Sequence, residues 1–219
     1  MPGAMPRDDA LRHVARRERC AILVIDVQND FCAVGGAFDR EGRSLRDIRA
    51  MLPALARFLQ SARQAGVPVL YMKHEQSSSR LSPLVRERDR LLFGDGGYPA
   101  AGTWGADVCP EVSPAPGEPL LAKTFYSAFS NPDLVRLLAA HKVETLVFAG
   151  VLTNVCVETS LRDADTRDYH SVLVSDCTAS DVPELYRATL ANVEGYFGWV
   201  CTSDELLALW NERKGNHDR

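Results

Sequence analysis

The feature that most narrows the folds open to this chain is its alternation between two kinds of apolar segment. Short runs rich in β-branched residues, CAILVIDV (20–27), VPVLYM (67–72), TLVFAGV (145–151) and HSVLVSD (170–176), read as buried strands. Longer patterns lie between them. LRDIRAMLPALARFLQSARQAG (45–66) is apolar along one face and closes at Gly66 before Pro68, a helix stop. NPDLVRLLAAHK (131–142) opens with the Asn-Pro pair of a helix start, and VPELYRATLANVEGYFG (182–198) is a further amphipathic stretch. Strand, helix, strand, repeated, predicts an α/β fold: a three-layer, Rossmann-like parallel sheet with helices on both faces.

Composition matters here for what it excludes. With 219 residues, 46% hydrophobic and 25% charged, the chain is long enough to bury a full core, and one domain is the favoured count. We expect residues 1–18 to be a flexible N-terminal segment, 19–212 the single domain and 213–219 a polar tail. The net charge of -4 is mild and the basic residues are dispersed, which argues against a nucleic-acid partner. Charges occupy the place of a signal-peptide apolar region in MPGAMPRDDALRHVARRERC, and no run of about 18 apolar residues suggests a membrane span. The six cysteines (Cys20, Cys32, Cys109, Cys156, Cys177, Cys201) include no C-x-x-C pair, as expected of reduced thiols in a cytoplasmic protein.

In open parallel α/β sheets, ligands bind beyond the carboxyl ends of the strands, so the residues that follow each apolar run are the ones to examine. Asp26 ends the first run, in VIDVQNDF. Lys123 ends the short run in PLLAKTFYSAFS (119–130), and Cys156 follows the third run in GVLTNVC. Each has an ordinary reading: a turn aspartate, a solvated edge lysine, and a cysteine serving as a small core hydrophobe. Together they have compatible chemistry. A thiolate at a helix start is stabilised by backbone N–H groups and by a neighbouring ammonium, while a carboxylate can take the thiol proton and return it to a leaving amine.

On VIDVQNDF (24–31), KTFYSAF (123–129) and GVLTNVCVETSLRDADTRDY (150–169), the chain resembles the isochorismatase-like cysteine hydrolases over nearly its whole length, from Ala21 to Trp210. The resemblance implies a catalytic triad of Asp26, Lys123 and Cys156. It also implies a non-proline cis peptide between Val151 and Leu152, turning the Leu152 N–H inward to form an oxyanion hole with the Cys156 N–H. Phe31 and Tyr126, beside triad residues, are read as lining the substrate pocket, with the core as their alternative. The glycine-rich FGDGGYPAAGTWG (93–105) lacks the context of a dinucleotide loop. It is read as a flexible loop bordering the pocket, with Trp104 as an anchor.

Nicotinamidases of this family bind a metal through an Asp-x-His and a second His, whereas the matching MKHEQSSSR (72–80) has a lysine in place of that aspartate and no second histidine. No metal and no other cofactor is therefore expected, and His74 is given no catalytic role. ETSLRDADTRDYHSVLVSDCT with YFGWV (196–200) is most similar to ureidoacrylate and related N-carbamoyl amidohydrolases. The implied activity is hydrolysis of a C–N bond in a small ureido, N-carbamoyl or carboxamide compound through a thioester acyl-enzyme. Two alternatives are vinyl ether hydrolysis of the isochorismatase type and a non-catalytic redox or binding relative. The implied partners are a small amide or ureide and further copies of the chain, as a dimer or tetramer.

Overall fold

The computed structural model describes residues 5–75, 82–93 and 99–211. Six strands form one sheet: β1 (Cys20–Ile25), β2 (Val69–His74), β3 (Leu120–Lys123), β4 (Thr145–Val151), β5 (His170–Ala179) and β6 (Trp199–Cys201). Their order is β3-β2-β1-β4-β5-β6 and every neighbouring pair is parallel. The chain winds outward in one direction from β1 and in the other from β4, so the order reverses between them. In doubly wound sheets the ligand crevice opens at such a reversal.

The continuous apolar strands follow from burial on both faces. In β1, Cys20, Ile22 and Val24 join one core layer, while Ala21, Leu23 and Ile25 join the other. The first layer is closed by α4 (Arg46–Gln64), through Ile48, Leu52, Leu55 and Leu59, and by α9 (Ser203–Asn211), through Leu206 and Trp210. The second is closed by α6 (Pro132–Ala140) and α7 (Glu158–Asp165), through Leu134, Leu138, Leu161 and Ala164. This is the three-layer α/β architecture expected from the sequence.

Local differences have physical reasons. The stretch read as helical over 182–198 divides into α8 (Pro183–Asn192) and a π-helical turn (Val193–Phe197), and the short edge strand β6 follows it. Within the N-terminal segment expected to be flexible, Arg7–Val14 form α1, whose Leu11 and Val14 are buried. Two apolar anchors in a charged stretch give too weak a periodicity to announce that helix. The polar tail 213–219, residues 94–98 of the glycine-rich stretch and residues 76–81 after His74 lie outside the described residues. Among the described residues no helix is long and apolar enough to cross a membrane.

Candidate active site

Three strand ends deliver the charged and nucleophilic groups to one point. Asp26 leaves β1 with φ 54°, a left-handed conformation in which aspartate is enriched among non-glycine residues. Its N–H still donates to Met72 O of β2 at 2.8 Å, so the turn stays anchored to the sheet. On the other side of β2, Lys123 is in register with His74. The two side chains meet beneath the β1–β2 edge, with Lys123 Nζ 2.8 Å from Asp26 Oδ2, and each is about 1% exposed. Lys123 Nζ also donates to Phe125 O at 3.1 Å. The Cys156 thiol lies close enough to both to feel their charges.

Cys156 reaches this point because β4 is forced close to β1. At Gly150 (φ 115°) an added Cβ would stand 2.1 Å from Ile25 O, so no other residue fits between the two strands. The Val151–Leu152 peptide that follows is cis. A π-helical turn (Thr153–Val157) then carries Cys156 and runs directly into α7. Val155 N and Val157 N donate to Leu152 O at 3.1 and 3.2 Å, fixing the start of that turn. Ser160 Oγ accepts from Ala128 N at 2.9 Å and donates to Cys156 O at 2.6 Å, which couples the turn that carries Cys156 to the segment after Lys123.

Burial governs the electrostatics. Loss of solvent pushes the Asp26 carboxyl up, and the Lys123 ammonium opposes that rise. For Lys123, burial acts downward, but the Asp26 charge and the nearby Cys156 outweigh it and the ammonium is held. Burial also pushes the Cys156 thiol up, the Asp26 carboxylate adds to the rise, and Lys123 only partly offsets it. A thiol raised in this way needs a base before it can act as a nucleophile, which is the part the sequence reading gives to the neighbouring carboxylate. His74, also buried, is pushed down to about 3, first by desolvation and then by the Lys123 charge, so it is neutral at physiological pH.

Asp26, His74 and Cys156 border a cavity of about 140 Å³. Phe31 and Tyr126 line it, as the sequence reading expects, and Asp26, Leu152 and Cys156 share the same lining. Trp104 does not. Its side chain is 54% exposed and borders a separate hollow with Asn29, Cys32 and Cys109, because Asn29 Nδ2 donates to Trp104 O at 2.8 Å and holds that loop behind the 29–32 turn. Three residues, Phe38, Arg43 and Gln28, went unread in the sequence, while His74 was weighed as a pocket residue and given no catalytic role. Phe38 and Arg43 complete the cavity's outer wall, and His74 reaches its lining from β2. Gln28 lies behind them: its Oε1 accepts from His74 N at 2.7 Å, and its Nε2 donates to His74 O and Ala106 O. The motif VIDVQNDF held a signal for Gln28, since a buried amide in a strand-end turn must find partners. No comparable signal marked Phe38 or Arg43. Among the described residues, no three His, Cys, Asp or Glu side chains gather in a way that could hold a metal ion.

Comparison with known proteins comes out in the same direction. The model of the isochorismatase domain matches residues 20–205. The ureidoacrylate amidohydrolase RutB of Rhizobium rhizogenes is 34% identical over 204 residues, covering 86% of this chain and 82% of that protein. The protein of the same name from Methylobacterium radiotolerans is 35% identical over 198 residues, covering 82% and 74%. Among solved structures, a cysteine hydrolase from Pseudomonas syringae pv. phaseolicola superposes with a TM-score of 0.77 at 30% identity, covering 89% of this chain and 93% of that one.

Proposed function

The chain belongs to the isochorismatase family, and from that premise we propose that it is a cysteine-dependent amidohydrolase that cleaves a C–N bond of a small ureido or N-carbamoyl compound. The observation that carries this reading is the buried Asp26–Lys123 ion pair, whose carboxylate shares the lining of one compact cavity with Cys156. The names of the relatives, which act on ureidoacrylate, favour ureides over plain carboxamides.

In this mechanism Cys156 Sγ attacks the substrate carbonyl carbon as Asp26 takes the thiol proton. The oxygen gains the displaced electron pair and is held by the Leu152 and Cys156 amides, donors of a kind worth about 3 to 4 kcal/mol in rate. Collapse breaks the C–N bond, and Asp26 gives its proton to the departing nitrogen. A thioester remains on Cys156. Water attacks it, Asp26 removes the water's proton, and the sulfur leaves to be reprotonated by Asp26. Lys123 stays cationic throughout and keeps Asp26 ionised between steps, against a burial that alone would neutralise it.

The proposal includes a cytoplasmic setting, supported by six buried cysteines, all unpaired. It includes a homo-oligomer, supported by Leu185 and Tyr196 left exposed around α8. Light scattering tests the latter. The activity itself is tested on purified protein by ammonia release from ureido acids, N-carbamoyl acids and nicotinamide, and by pyruvate release from isochorismate. A ureido or N-carbamoyl acid should show the highest kcat/KM. Preference for nicotinamide or isochorismate would overturn the substrate assignment and leave the triad standing.

A further inference from the structure

Within the cavity lining, one cation is not accounted for by the chemistry above. Arg43 follows α3 (Ala37–Arg40), the short helix that forms the outer wall. Its guanidinium carbon lies 3.5 Å from the centroid of the Phe38 ring, and its Nε donates to Asp181 Oδ2 at 2.8 Å. Asp181 follows β5, so this one side chain joins the loop before α4 to the loop after β5, across the mouth of the crevice. Among the described residues the guanidinium's hydrogen bonding uses Nε alone, which leaves the terminal nitrogens available. The side chain is half-buried, held by both a stack and an ion pair. A fork fixed in this way has little rotamer freedom left to lose when it takes a ligand.

We propose that Arg43 is the residue that selects substrates bearing a carboxylate, binding that group at the cavity mouth while the ureido carbonyl sits at Cys156. Planar, bidentate recognition of a carboxylate is what a guanidinium does better than an ammonium. Glu41, exposed on the same rim, adds to the selection by disfavouring a carboxylate seated anywhere but on the fork. The substrate class is thus narrowed from ureides in general to ureido acids, a deepening that rests on the function proposed above. Arg43 touches the substrate away from the bond that breaks, so its loss should act mainly on KM.

Two measurements test this, and the first does not depend on the substrate assignment. Propionate should protect Cys156 of the intact protein from iodoacetamide, and Arg43→Gln should weaken that protection about 10- to 100-fold in propionate concentration, the range of a charge-assisted hydrogen bond. Arg43→Lys, which keeps the charge and loses the fork, should fall between. Equal protection of wild type and Arg43→Gln, with both folded by circular dichroism, would overturn the proposal. The second measurement compares 3-ureidoacrylate with a neutral alkylurea of similar length. Arg43→Gln should lower kcat/KM about 10- to 100-fold for the acid, chiefly through KM, and change it less than about 3-fold for the neutral ureide. Equal losses on both would reduce Arg43 to a wall residue and sink the idea. If the wild type turns over neither ureide, the proposed function fails, and the propionate result still decides the role of Arg43.

Discussion

At the scale of single residues the site is a problem in sharing one proton among three buried groups. In the proposed mechanism a thiol pushed up by burial is a poor nucleophile until Asp26 takes its proton, and Lys123 opposes the burial that would neutralise Asp26. Cys156→Ala should therefore abolish turnover and leave the fold intact, as checked by steady-state assay and circular dichroism. Iodoacetamide should modify Cys156 ahead of the other five cysteines, since all six are buried but Cys156 alone borders the substrate cavity with a base beside its sulfur. Peptide mapping after brief alkylation reads this directly, and first labelling of another cysteine with activity retained would refute it. Asp26→Asn should cost at least about 100-fold in kcat, the scale of a positioned acid/base. For wild type, the acid limb of kcat/KM should lie above the ordinary carboxylate range near about 4, because burial raises Asp26. In Lys123→Gln that limb should move higher still, having lost the only effect that opposes the rise by charge. His74 titrates with the opposite sense. Its folded value near 3 is below the unfolded value of about 6.5, so stability is present above pH 6.5 and falls as pH drops from there toward 3. His74→Gln should flatten that part of the pH–stability curve measured by denaturant titration.

At the scale of elements, the crevice exists because β1 and β4 touch more closely than side chains allow. Gly150→Ala would place a Cβ 2.1 Å from Ile25 O in a backbone with φ 115°, so overlap and backbone strain act together. The expected loss is about 3 kcal/mol or more in a thermal melt, against a near-neutral Gly195→Ala, where nothing lies within 4 Å of the added carbon. Unchanged midpoints for both would mean that the strands can separate at no cost. Much of this scale was legible in the sequence. A strand buried on both faces writes itself as an unbroken apolar run, and a charged residue ending such a run is conspicuous, which is why Asp26 and Lys123 could be picked out from residue type and position. β6 has only three residues, too few for any pattern, and went unread after the amphipathic stretch that ends at 198. Arg43 and Trp104 were not legible for a related reason. Their positions depend on how the loops fold back over the strand ends, and that is fixed by contacts such as Arg43 with Asp181 and Asn29 with the Trp104 carbonyl, each joining residues far apart in sequence.

At the scale of the whole molecule, the two ends of the sheet have different tasks. The carboxyl ends of the strands hold the cavity, while at the opposite end α1 closes the core from below. Val14 O accepts from Thr145 Oγ1 at the start of β4 at 2.7 Å, and Ala15 O accepts from Trp210 Nε1 of α9 at 2.9 Å. Arg7 Nε reaches Glu194 at 2.6 Å, an exposed pair that adds little. The segment before β1 thus ties the start of β4 to the last helix, although its charged composition reads as a flexible segment. Deleting residues 1–16 would bare the surface covered by Leu11 and Val14 and leave the Trp210 indole N–H and the Thr145 hydroxyl without their partners. The two buried side chains alone are worth roughly 3 to 5 kcal/mol, which for a chain of this length lowers the thermal midpoint by about 10 °C. The triad lies at the far ends of the same strands, so kcat at 25 °C should stay within about 2-fold of the full chain while the melting transition moves. An unchanged midpoint would show that α1 merely rests on the surface. A large fall in kcat with the midpoint unchanged would show instead that the two ends of the sheet are coupled through β1 and β4.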